Sequence, residues 1–105
     1  MSLQQFKTKY NLIDIQEIAP KDIGVRKKLH IYEAIDNNKN SFYIISISQK
    51  SRVLQKDVVQ YEEIYQKVQE FTKITFTYKL ISIEAPLCSK AKAKLELLYT
   101  DIIEI

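Results

Sequence analysis

Residues 45–52 read ISISQKSR, a β-branched run that ends in a lysine, a serine and an arginine. A lysine on a stiff strand tip can neutralise charge on a phosphate ester. Beside acids that hold a divalent cation, it can help activate water for attack on that ester. The two acids nearest before the run are Glu33 and Asp36. They are three apart, so on a regular strand they point to opposite faces and do not make one site together. Asp36 opens the polar stretch Asp36-Asn37-Asn38-Lys39-Asn40 and fits a turn in which its carboxylate caps its own backbone. Glu33 is the candidate metal ligand. Lys50 and Arg52, with the basic triplet Arg26, Lys27 and Lys28, are candidates for contact with the phosphates of DNA or RNA. The plainer alternative for Lys50 and Arg52 is a solvated strand end, where a lysine also deters edge-to-edge pairing.

Other chemistries are poorly supplied. Gly24 is the one glycine, which excludes the glycine-rich loops that cradle nucleotide phosphates. One histidine and one cysteine exclude a conventional zinc site and give no Cys-His or Ser-His-Asp set. Cys88 stands just before an expected helix start, where a thiol can be activated. No basic partner accompanies it by motif, so a buried structural cysteine is the favoured reading. His30 reads as a sheet residue. Lys90, Lys92 and Lys94 do not share one helix face; only Lys90 and Lys94 align, as part of a solvated surface. Tyr32 and Tyr43 are expected to pair across a hairpin.

A chain of 105 residues suffices for one compact domain and not for two. With 46% hydrophobic and 28% charged residues it has the composition of a folded protein. The formal charge of +3 permits nucleic-acid binding without requiring it. No apolar run approaches the ~20 residues that span a bilayer, no signal-peptide pattern opens the chain, and a lone cysteine forms no internal disulfide. The expectation is a cytoplasmic domain with no membrane partner.

Hydrophobic spacing gives the elements. Ser2 with Gln5 forms a capping pair, and Leu3, Phe6 and Tyr10 predict a helix over 3–10. Ile13, Ile15 and Ile18 predict a first strand that Pro20 ends. Strands follow from Leu29 to about Ile35 and from Phe42 to about Gln49, close enough to pair as an antiparallel hairpin. Asp57 is expected to cap a helix, with Gln60 as its box partner and Tyr61, Ile64, Tyr65, Val68 and Phe71 as its buried stripe. Thr75 to Ile83 predicts a central strand covered on both faces. A helix from Ser89 to about Leu98 and a strand from Thr100 to Ile105 close the chain. The order αβββαβαβ predicts a single α/β domain over 1–105, with a mixed central sheet flanked by helices.

The αβββαβ core resembles the PD-(D/E)XK, or restriction-endonuclease-like, fold of Holliday-junction resolvases and their relatives. The resemblance rests on element order, on Ser48-Gln49-Lys50-Ser51-Arg52 at the end of the third strand, and on the closing KLISIEAPLCSKAKAKLELLYTDIIEI. It implies a site in which two acids hold a divalent cation such as Mg²⁺ and a lysine two residues past the second acid shares its strand face. Carried over, Lys50 matches that lysine and Ser48 stands where the second acid belongs. Glu33 or Asp36 would match the first acid. The first helix offers Gln4 and Gln5 where some relatives place a glutamate. Ser48, Lys50 and Glu33 are thus the catalytic candidates of a degraded site.

The expected function is a nuclease-like domain that binds nucleic acid without cleaving it and needs no cofactor unless a site survives. One alternative is a non-enzymatic interaction module. It would use an exposed sheet edge near Ile105 to pair with a partner protein or a second copy. Another is an active nuclease with a relocated acid, Glu33 with Glu17 or Glu84.

Overall fold

The computed structural model describes residues 2–105. Met1 and the side chain of Ser2 lie outside the described residues, and the expected Ser2 cap with them.

Helix α1 spans Ser2–Tyr10 and leads through Asn11 into strand β1, Leu12–Ile18. A short 3-10 turn, Pro20–Ile23, follows. Its end is taken by Gly24 at φ 74°, a left-handed conformation that glycine adopts without steric cost. Strands β2 (Leu29–Asp36) and β3 (Ser41–Ser48) form the expected hairpin. Helix α2 (Gln55–Thr72), β4 (Tyr78–Glu84), α3 (Ser89–Leu98) and β5 (Asp101–Glu104) complete the chain. The five strands lie in the order β1-β2-β3-β4-β5. The first three are antiparallel, and β4 and β5 run parallel to β3. The expected αβββαβαβ order and mixed sheet are therefore the observed ones.

Alternation along the strands divides the core in two. Ile31, Tyr43, Ile45, Ile47, Ile81 and Ile83 face α2 and α3, meeting Val58, Tyr61, Ile64, Val68 and Leu95. Ala34, Phe42, Ile44 and Leu80 face α1, meeting Phe6. Leu80 and Ile81 are both fully buried although they point to opposite faces, as expected of a central strand.

Several local expectations change. Helix α2 begins two residues before Asp57, whose carboxylate accepts the Leu54 backbone N–H at 2.8 Å. Asp57 therefore closes the first turn from inside the helix rather than capping it. Phe71 is 54% exposed, because the helix's last turn carries it off the sheet. Residues 73–77 lie outside the β4 ladder, with Ile74 and Phe76 packed on the α2 side. The hairpin register sets Tyr32 opposite Ile44 and Tyr43 opposite Glu33. The two tyrosines thus lie on opposite faces and do not pair. Asp36 holds the turn as expected, accepting from the Asn38 and Asn40 backbones at 2.9 Å each and from Asn40 Nδ2 at 3.1 Å. These bonds outweigh its desolvation and hold its carboxyl below the usual value.

Helix α1 is tied to β5 through Asp101, whose Oδ2 accepts from Lys9 Nζ and from Tyr10 Oη, each at 2.6 Å. Burial works against ionisation there, but these bonds outweigh it and hold the carboxyl below its usual value. Stability from such a group is present above its unfolded value of about pH 4. It is lost as pH falls through the lower folded value. Asp101→Asn is expected to cost about 1 kcal/mol at neutral pH, modest because Lys9 is well exposed. Urea midpoints measured from pH 7 to pH 3 should fall less steeply in the variant; parallel curves would show that the tether contributes nothing.

Candidate nucleic-acid interface

The antiparallel β2–β3 register places Leu29 opposite Ile47 and His30 opposite Ser46. The chain entering β2 therefore runs beside the chain leaving β3. Lys27 and Lys28 come from the first, and Ser48, Gln49 and Lys50 from the second. These five residues line an open cleft of about 510 Å³ with Leu29, Ile47 and Tyr61 as its buried floor. All three lysines are exposed. Burial, with the nearby Asp57 charge, pushes the Tyr61 hydroxyl up to about 12, so it stays protonated at physiological pH.

The loop bearing Lys50 is tied down. Gln49 donates its backbone N–H to the Glu84 carbonyl at 3.1 Å. Its side chain donates to the Ser51 carbonyl at 3.0 Å. Val53 bridges Leu87 beyond the ends of β3 and β4. Lys50 thus rises from a supported loop. Arg26 and Arg52 are exposed but do not line the cleft. Three of the five cations singled out in the sequence are brought together there.

The acids are distributed differently. Ser48 stands on the face that carries α1, and its hydroxyl donates to Glu84 Oε2 at a long 3.4 Å. Glu33 faces the other side, where it lines a cavity with Ile74 and Phe76. Its partner across the hairpin, Tyr43, lies five residues before Ser48, about 17 Å along the strand. Glu33, Ser48 and Lys50 are therefore not brought together. Asp36 is at the far hairpin turn with its oxygens occupied. Among the described residues no group of three or more His, Cys, Asp or Glu converges as a metal site. The residues around Lys50 do not fit a divalent cation of the implied kind, since Ser48 is neutral and Glu84 is the one carboxylate touching it.

A polar row escaped the sequence reading. On the α1 side of the sheet, Glu17 Oε2 meets His30 Nδ1 at 2.9 Å and His30 stacks with Tyr32 at 6.3 Å between ring centroids. Ser46 and Ser82 share a hydrogen bond of 2.6 Å across β3 and β4. Glu17 and Glu84 lie on β1 and β4, three strand spacings apart across the sheet and four residues apart along it, about 20 Å in all. The signal was present in the repeats ISIS and ISIE, where polar residues at every second position of two apolar strands mark one uncovered face.

Cys88 caps α3, its sulfur accepting from the Ala91 backbone N–H at 3.3 Å. Lys92 is paired with Glu104 at 2.8 Å, and the α3 lysines do not reach the cleft. No helix among the described residues is long and apolar enough to cross a membrane.

No protein-family model and no curated protein matches this chain. A solved structure described as "Structure of EndoMS in apo form" is similar to it, with a TM-score of 0.55 and 10% sequence identity. The likeness covers 99% of this chain and 44% of the EndoMS chain, so this chain spans less than half of that protein's length. At such identity the likeness is one of fold.

Proposed function

We propose that the chain binds the phosphate backbone of nucleic acid through Lys27, Lys28 and Lys50 and does not cut it. The carrying observation is the meeting of these three exposed lysines in one open cleft. Phosphates spaced along a strand are matched by cations spaced along a groove, and each contact releases condensed counterions. The family resemblance supports the same end of the sheet, because Lys50 occupies the place of the family's lysine. Ser48 in place of an acid, and Glu33 on the other face, support binding without hydrolysis.

Glu84 supports a second reading. Its carboxylate touches Ser48 from the neighbouring strand, so a nuclease with a relocated acid would use Glu84 and Lys50. Titration with labelled single-stranded, duplex and branched DNA, in Mg²⁺ and across a salt series, separates the readings. The expected result is binding whose logarithm falls against log salt with a slope of about −3, and intact DNA afterwards. Cutting that disappears in Glu84→Gln would establish the nuclease instead. No binding at low salt would leave an interaction module as the better account.

A further inference from the structure

A second cavity lies on the same α2 face of the sheet as the floor of the basic cleft, toward the other end of the strands. It measures about 110 Å³ and opens between the edge strand β1 and residues 74–76. Its acids are Asp14 and Glu33, and its walls include Ile35, Ile74 and Phe76. A bulge after Leu12 re-aims β1, so that Gln16 comes opposite Glu33 and Asp14 opposite Ile35. Asp14 is thus diagonal to Glu33, at the exposed rim.

Glu33 is the anomaly. Its Oε2 is enclosed and has no hydrogen-bond partner. Among the described residues neither Glu33 nor Asp14 joins an ion pair. An enclosed carboxylate oxygen without a donor is costly, and such an atom at a cavity wall calls for a donor from a guest. The walls decide the rest of the guest. A divalent ion wants six or more oxygens and sheds water reluctantly, whereas much of this lining is aliphatic or aromatic. The volume is that of one side chain, below the ~150 Å³ in which an apolar cavity holds benzene.

We propose that this cavity takes the ammonium or guanidinium end of a small alkyl cation. The charged head is held by Glu33 with Asp14 at the rim, and the alkyl part lies against Ile74 and Phe76. The site is independent of the basic cleft, which lies at the other end of the sheet and attracts the opposite charge.

The test is an amide-resolved NMR titration of the whole chain with n-butylammonium and n-butylguanidinium, against n-butanol and Mg²⁺ as controls. The expected result is saturable shifts at residues 14–16, 33–35, 41 and 74–76 for the two cations, with residues 27–29 and 47–50 unmoved. Glu33→Gln should weaken binding about tenfold, the loss expected for one charge-assisted hydrogen bond. Should that variant not fold, Asp14→Asn at the exposed rim is expected to weaken binding about threefold. A lysine analogue blocked at both backbone ends, binding as tightly as n-butylammonium, would assign the guest to a peptide side chain; a preference for the free amine would assign it to a small metabolite. Equal binding of n-butanol, the same shifts with Mg²⁺ at lower concentration, or no shifts at about 50 mM cation would each overturn the proposal.

Discussion

A chain carrying Lys27→Ala, Lys28→Ala and Lys50→Ala together is expected to bind duplex DNA about 30- to 100-fold more weakly at moderate salt. The slope of log affinity against log salt should fall by about 3 at the same time, because each lysine removed is one phosphate contact and one set of released counterions. The fold should survive, since all three side chains are exposed and none forms an ion pair among the described residues. Arg26→Ala with Arg52→Ala is the matched control. It removes nearby charge without touching the cleft lining and should lower affinity only a few-fold. Fluorescence anisotropy with one labelled duplex reads both effects. Equal losses in the two variants would reduce the cleft to general attraction between a basic protein and an acidic polymer.

The largest expected loss of stability comes from Lys79, on the α2 face of β4. Its Nζ meets Glu62 of α2 at 2.7 Å and lies 4.1 Å from the Tyr65 ring centre and 4.7 Å from that of Tyr99. Both charged side chains are largely out of water, at 16% and 27% exposure. Around them, Tyr43 Oη, Tyr99 Oη and Glu62 Oε2 are enclosed without hydrogen-bond partners. Burial first, and the Glu62 charge with it, pushes both tyrosine hydroxyls upward, so they remain neutral. Lys79→Ala strands the Glu62 carboxylate among these groups and removes two cation–π contacts. The expected cost is about 2–4 kcal/mol, below the full value for a buried pair because some water reaches it. Against a typical total of about 5–15 kcal/mol, the urea midpoint should drop by about 1–2 M. Lys79→Met with Glu62→Leu removes both charges and keeps the volume, and should stay within about 1 kcal/mol of the parent. A loss under about 0.5 kcal/mol in Lys79→Ala would show that the pair is solvated and contributes little.

The architecture was legible because each element kept its own period. The run from Tyr61 to Val68 repeats at helical spacing, and KLISI carries apolar residues on both parities, as a covered strand must. Parity across the hairpin was not legible. The turn takes five residues with Lys39 at φ 64°, and that shifts the pairing by one position from a Tyr32–Tyr43 match. A one-residue shift moves a side chain to the other face. The same fact decides the candidate site. Glu33 shares a strand with His30, yet it opens onto the α2 side, while Ser48 lies on the α1 side. Lys27, Lys28 and Lys50 are more than twenty residues apart in sequence from end to end, and only the β2–β3 register brings them to one cleft. Asp57 was placed correctly on a helix start and wrongly as its cap. A carboxylate just before an apolar stripe looks alike in sequence whether it caps the helix or reaches back from the third position.

Lysine footprinting of the folded chain, with and without a duplex, tests the basic cleft most directly. Surface lysines are acetylated briefly and the modified positions are read by mass spectrometry. The account predicts that DNA protects Lys27, Lys28 and Lys50 while Lys90 and Lys94 are modified as before. Protection centred on Lys90 and Lys94, or no protection under conditions where DNA is bound, would contradict it and move the interface off the β2–β3 end of the sheet.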